Sequence, residues 1–191
     1  MQILLLVLTI IGVLAVTLLV AAAIIKKEYL IERDVVINKP NDEVFNYVKF
    51  IRNQDQYSKW VRTDPQMKKF FKGTDGTVGF IYGWNGNNKA GEGEQEITRI
   101  VNGQQINCEV RFVRPFVTVS HTHMITTPVS GNQTKVTWGM VGKSKYPLNV
   151  MNGFLMGMLG KDLEESLDML KAELEKGIIT HSESKYANAE I

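Results

Sequence analysis

Ile3 to Ile25 is an unbroken uncharged run diluted only by Thr9, Gly12 and Thr17, and whatever else the chain folds into has to accommodate it. As a helix rising 1.5 Å per residue, the run spans roughly 35 Å, enough to cross a hydrocarbon core of about 30 Å with some tilt. A secretory signal peptide is the rival reading, because Ala21-Ala22-Ala23 imitates a cleavage site. Against it, no Lys or Arg precedes the run, and the run is longer than a usual signal core. The segment therefore reads as a single-pass anchor over residues 1–27. Lys26 and Lys27 follow it, and by the positive-inside tendency they place the larger C-terminal part in the cytoplasm.

About 150 residues follow, roughly 28–177, which is one domain's worth and enough for a real core. The whole chain carries 22 basic and 20 acidic residues, so no charge excess points to nucleic acid. The lone Cys108 rules out an internal disulfide and does not call for an oxidising compartment. "IITHSESKYANAEI", after Gly177, is polar without a helical stripe and reads as a flexible tail, 178–191.

Within the domain the hydrophobic period changes twice. "EYLIERDVVINK" (28–39) is β-branched and partly alternating, as in a strand. Pro40 suits a helix start, and Val44, Phe45, Val48 and Ile51 then share one helical face up to about Asn53. "QDQYSKWVRTDPQMKKFF" reads as a loop with one short helix. Alternation follows: Val78, Phe80, Tyr82 and Trp84, then Ile106, Cys108, Val110 and Phe112, then Val136, Trp138 and Met140. Asn85-Gly86, Asn102-Gly103 and Ser130-Gly131-Asn132 mark turns between strands. The closing segment steps through Leu159, Leu163, Leu167, Leu170 and Leu174, a single apolar helical stripe, with Gly177 placed to end it. The order is strand, helix, about five meandering strands and one long helix. An antiparallel sheet with one wet face needs an apolar cover, and only the last helix is long enough to supply it.

"VVINKPNDEVFNYV", "YSKWVRTDP", "GEGEQEI" and "LGKDLEESLDMLKAELE", in this order, resemble the START-like helix-grip superfamily (SRPBCC), in particular its small membrane-anchored, polyketide cyclase-like members. The resemblance covers residues 28–176. It implies an α+β helix-grip fold, a curved antiparallel sheet wrapped around a long C-terminal helix, here preceded by one transmembrane helix. It also implies an apolar cavity between sheet and helix for a hydrophobic small molecule or lipid. The superfamily has no shared catalytic motif, so no catalytic residue, metal or cofactor is carried over. A cyclase- or hydrolase-type enzyme using the cavity, with His121, His123 or Tyr82 carrying a proton, is the rival function; a ligand-free interaction module is another.

Candidate site residues come from the apolar inner surface. Tyr82, Trp84, Phe112, Trp138 and Met140 lie on inward faces of the strands, where aromatic rings with polar tips suit small-ligand pockets and dry cores alike. The approach to the last helix, "VMNGFLMGMLG", adds Phe154 and Met158 and puts Gly153, Gly157 and Gly160 on one strip. Each helical glycine costs about 0.5–1 kcal/mol relative to alanine, so the strip needs a reason. Three accounts compete: core packing against a close-approaching segment, a malleable wall or mouth of a ligand cavity, and a patch dipping into the membrane. As an all-round apolar half-helix it reads as surrounded on most sides.

Other motifs weigh less. His121 and His123 share a strand face, which is two-thirds of a zinc site without an evident third ligand. Glu92, Glu94 and Glu96 read as a wet face that leaves Gln95 and Ile97 inward, and Cys108 reads as an inert buried thiol. Asn132-Gln133-Thr134 fits a glycosylation acceptor, relevant only to an exported domain. No G-x-S-x-G, H-E-x-x-H or Walker loop occurs.

Overall fold

The structure, a computed structural model, describes the backbone of residues 1–187 and the side chains of residues 1–176. Helix α1 (Gln2–Ile24) is continuous, and it is long and apolar enough to cross a membrane. Its two threonines do not interrupt it: the Thr9 and Thr17 hydroxyls each donate to the carbonyl four residues back, Leu5 and Val13, at 2.8 Å.

Strand β1 (Glu28–Ile37) starts four residues after α1 ends. Helix α2 (Asn41–Val48) follows Pro40, carries Asp42 and Glu43 in its first turn, and buries Val44, Phe45 and Val48. Two short helices, α3 (Gln54–Tyr57) and α4 (Lys59–Arg62), lead into β2 (Lys68–Lys72) and β3 (Ile81–Asn85). The meander continues through β4 (Glu92–Val101), β5 (Gln105–Arg114), β6 (Thr118–Ser130) and β7 (Gln133–Lys143), and α5 (Asn152–Ala187) closes the fold after a 3₁₀ turn at Leu148–Met151. The seven strands form one antiparallel sheet in the order β1-β7-β6-β5-β4-β3-β2.

The inner face of the sheet is the one that alternation selects. Ile31 and Ile37 of β1, Ile106 and Cys108 of β5, and Val136 and Trp138 of β7 are buried with Leu163, Leu167 and Leu170 of α5 in one core. On the outer face Arg111 ties Glu94, Glu96 and Glu109 together at 2.6–2.7 Å. Those three carboxylates, Glu109 first, hold the guanidinium protonated well beyond its ordinary range. The wet glutamate face is thus an ion-pair network, and Ile97 points into the core as the alternation requires.

Four local readings are corrected. "KKFF", read as loop, is most of edge strand β2; lysines at its ends masked a short strand. Asn85-Gly86 opens a longer loop, in which the Gly86 N–H donates to the Gly91 carbonyl, in place of a two-residue turn. Val78 lies before β3 and is exposed. The helix does not stop at Gly177 but continues to Ala187, since one glycine costs only about 1 kcal/mol and no proline follows it. The tail reading, 178–191, therefore meets helical backbone up to Ala187, and 188–191 lie outside the described residues. The Asn102-Gly103 turn is as read, with Gly103 at φ +71°.

Candidate functional site

Between sheet and helix, aromatic side chains crowd around Trp138. Trp138 is met edge-on by Tyr57 at 5.9 Å and by Trp60 at 5.8 Å between ring centroids. The space enclosed there, lined by Val48, Ile51, Gln95, Cys108, Met124 and Trp138 among others, amounts to about 10 Å³. That is room for one water. The Tyr57 hydroxyl is fully buried without a hydrogen-bond partner among the described residues, and burial pushes its pKa far above the ordinary value. An unpaired buried hydroxyl costs roughly 1–3 kcal/mol, so Tyr57 carries an unused polar tip inside an apolar wall.

Larger room lies at the sheet edge. A groove of about 370 Å³ runs between β1 and the first turns of α5, lined by Leu30, Ile31, Glu32, Arg33, Met156 and Gly157. Strand β1 is an edge strand, paired on one side only, and α5 packs along it. The glycine strip sets the helix distance. A Cβ on Gly160 would strike the Arg33 guanidinium, whereas one on Gly153 or Gly157 would meet nothing within 4 Å. Close approach therefore explains Gly160 alone, and Gly157 leaves the groove open. Arg33 Nη1 donates to the Glu32 carbonyl at 2.7 Å, and the guanidinium makes no ion pair among the described residues. Leu30, Ile31 and Met156 beside the Arg33 guanidinium and the Glu32 carboxylate make a groove of mixed character, which suits an amphiphile with a polar end.

The seven sequence candidates do not come together. Trp138 lines the small interior space, and both Trp138 and Met140 lie one strand in from the groove, opposite Arg33 and Ile31 respectively. Tyr82 is buried, with its hydroxyl donated to Asp55 Oδ1 at 2.6 Å; burial and then this carboxylate raise its pKa. Trp84 packs edge-on against Phe112 at 5.8 Å, and its Nε1 donates to the Ala90 carbonyl. Phe154 and Met158 are exposed, at 69% and 48% of their surface. The Gly/Met half of the helix is therefore not surrounded, which corrects the sequence expectation. His121 and His123 turn to the outer face, where His123 Nε2 lies 2.7 Å from Glu32 Oε1.

Sequence reasoning missed Leu30, Ile31, Arg33, Met156 and Gly157 as one wall, because β1 and α5 lie more than a hundred residues apart. It also missed the junction with α1. The buried Asn149 amide donates to the carbonyls of Ala22 and Ile25 at 2.6 and 2.8 Å, and that of Asn152 to Lys26 at 2.9 Å. The Tyr146 hydroxyl donates to the Leu19 carbonyl at 3.3 Å. Carbonyls near the C-terminal end of α1 and just beyond it thus find donors on the segment that opens α5.

No family model and no curated protein matches the chain. Solved structures do. Truncated norcoclaurine synthase from Thalictrum flavum superposes with a TM-score of 0.60 at 11% identity, covering 77% of this chain and 93% of that one. The same synthase is also known in complex with dopamine and hydroxybenzaldehyde. Ara h 8.0201 gives a TM-score of 0.54 at 10% identity over 78% of this chain and 99% of that one. DynU16, a putative protein of the dynemicin biosynthetic locus, gives 0.56 at 15% identity over 78% and 48%. The seven-stranded curved sheet gripping a long C-terminal helix is the START-like, Bet v1-like helix-grip fold, and this chain has it.

Proposed function

We propose that this is a membrane-anchored binding protein for a hydrophobic small molecule or lipid, tethered through residues 3–25 with the folded domain on the cytoplasmic side. The observation that carries the reading is the 370 Å³ groove between β1 and the Gly/Met half of α5. Its floor leads across the sheet from Ile31 and Arg33 to Met140 and Trp138. An apolar tail lying there leaves water at about 25 cal/mol per Å² of buried surface. Met156 beside it is an unbranched thioether that repacks at little cost. Tyr82, Trp84 and Phe112 form the farther aromatic wall of the same inner face. Small aromatic molecules in a fold neighbour, the synthase, support the same use of this architecture.

Tethering raises the encounter rate with molecules dissolved in the membrane without adding contacts. The test is native mass spectrometry of the full-length chain released from detergent micelles, beside Gly157→Phe. A Cβ on Gly157 meets nothing within 4 Å, so a side chain there starts into the open groove. The expected result is a bound lipid-sized adduct on the parent chain, reduced at least tenfold in the variant, with melting temperatures within a few degrees. An adduct equally abundant on both would contradict the groove as the site.

A further inference from the structure

The Gly/Met half of α5 is apolar and exposed, and the structure fixes where it sits relative to α1. Tyr146 reaches the Leu19 carbonyl, five residues short of the end of α1, while Asn149 and Asn152 hold the Ala22–Lys26 stretch. Five helical residues rise about 7.5 Å, so a spanning α1 places Tyr146 at the depth of the head groups and the first methylenes. Leu148, Met151, Phe154 and Met158 follow at steps of three, three and four, one face of a helical path, and all four are 48–69% exposed.

A second protrusion lies at the same end of the sheet. The register pairs Glu28 with Lys143, His121 with Val141 and Phe112 with Thr118. The loop joining β5 to β6 therefore projects on the side where α1 enters, two strands and about 10 Å from β1. Its Phe116 and Val117 are 73% and 75% exposed. Around these apolar residues stand Lys26, Lys27, Lys145 and Lys161, exposed and without ion pairs among the described residues. Two exposed apolar patches at one end of the sheet, flanked by cations, have the composition of a surface that lies on an anionic membrane.

We propose that Leu148, Met151, Phe154 and Met158, with the Phe116–Val117 loop, rest in the head-group layer of the bilayer that α1 crosses, the lysines pairing with anionic lipid. This rests on the reading of α1 as a span. At about 100° per residue, Met156 and Gly160 lie on the side of α5 that faces β1, away from this apolar face, so the groove sits behind the docked helix rather than opening onto the bilayer. Hydrogen-bonded attachment to α1 makes the docking a fixed orientation of the domain.

The test uses the full chain in bilayers of bromine-tailed phosphatidylcholine and phosphatidylglycerol, carrying a fluorophore on a single introduced cysteine. Four variants are compared: Gly12→Cys, Phe154→Cys, Phe116→Cys and Gly131→Cys. Native Cys108 is buried and stays unlabelled. Gly131 tops the β6–β7 hairpin, some 35 Å from the α1 end by strand rise. Expected are strong quenching at residue 12, at least twofold quenching at residues 154 and 116, and none at 131. Omitting phosphatidylglycerol should weaken quenching at 154 and 116 alone. Quenching at 12 with none at 154 and 116 would overturn the docking and leave the tether standing; no quenching at 12 would overturn both.

Discussion

Arg33 is inward on an edge strand, held against a glycine and without an acid partner among the described residues. A charge-assisted hydrogen bond from such a group is worth roughly 1.5–3 kcal/mol, about ten- to a hundredfold in affinity. Arg33→Gln should weaken binding of a long-chain fatty acid about tenfold while leaving the alcohol of equal chain length nearly unaffected, as read by calorimetric titration of the full chain. Equal losses for both ligands would show that the guanidinium does not select the head. Cys108 illustrates the opposite case, a titratable group with nothing to do. Burial pushes its thiol up to about 11, leaving roughly a hundredth of the ordinary thiolate at pH 8. The folded state therefore favours the protonated thiol. That contribution is complete below about pH 9 and is lost as pH rises toward 11. Iodoacetamide should modify Cys108 only as fast as the chain unfolds; alkylation at the rate seen in urea would contradict the burial.

Helix α5 is two elements with opposite duties. Its later turns put Leu163, Leu167 and Leu170 into the core at 0–1% exposure, and its first turns put Phe154 and Met158 outside. Leu167→Ala should cost about 2–5 kcal/mol by the cavity it leaves, and Phe154→Ser within about 0.5 kcal/mol, by chemical denaturation of the full chain in detergent. A Phe154→Ser cost as large as that of Leu167→Ala would mean that the early turns are core after all. The leucine stripe and the inward sets Ile106–Cys108–Val110 and Val136–Trp138–Met140 were legible in the sequence, because burial on one face imposes a period. The Gly/Met half was not, because an apolar side chain has the same pattern whether protein or lipid covers it. Strand β2 was missed for a related reason: Lys68, Lys69 and Lys72 suit an exposed sheet edge and hide its alternation.

At the scale of the molecule, α1, the opening of α5 and the edge strand β1 form one unit at one end of the sheet. The order of periods along the chain pointed to an antiparallel sheet covered by one long helix, and the resemblance implied the helix-grip fold. The groove did not follow from either, since its walls come from opposite ends of the domain and no local pattern links Ile31 to Met156. Nor did the small space beside Trp138, whose lining comes from α2, β4, β5, β6 and β7. In the account given above, a ligand lies between β1 and α5, close to the membrane. The most direct measurement is photo-crosslinking of the full chain in bilayers with a fatty acid bearing a diazirine in its tail, mapped by tandem mass spectrometry. The account predicts adducts on residues 30–33 and on Met156 and its neighbours, diminished by Gly157→Phe. Adducts confined to α1, with none on β1 or α5, would contradict it.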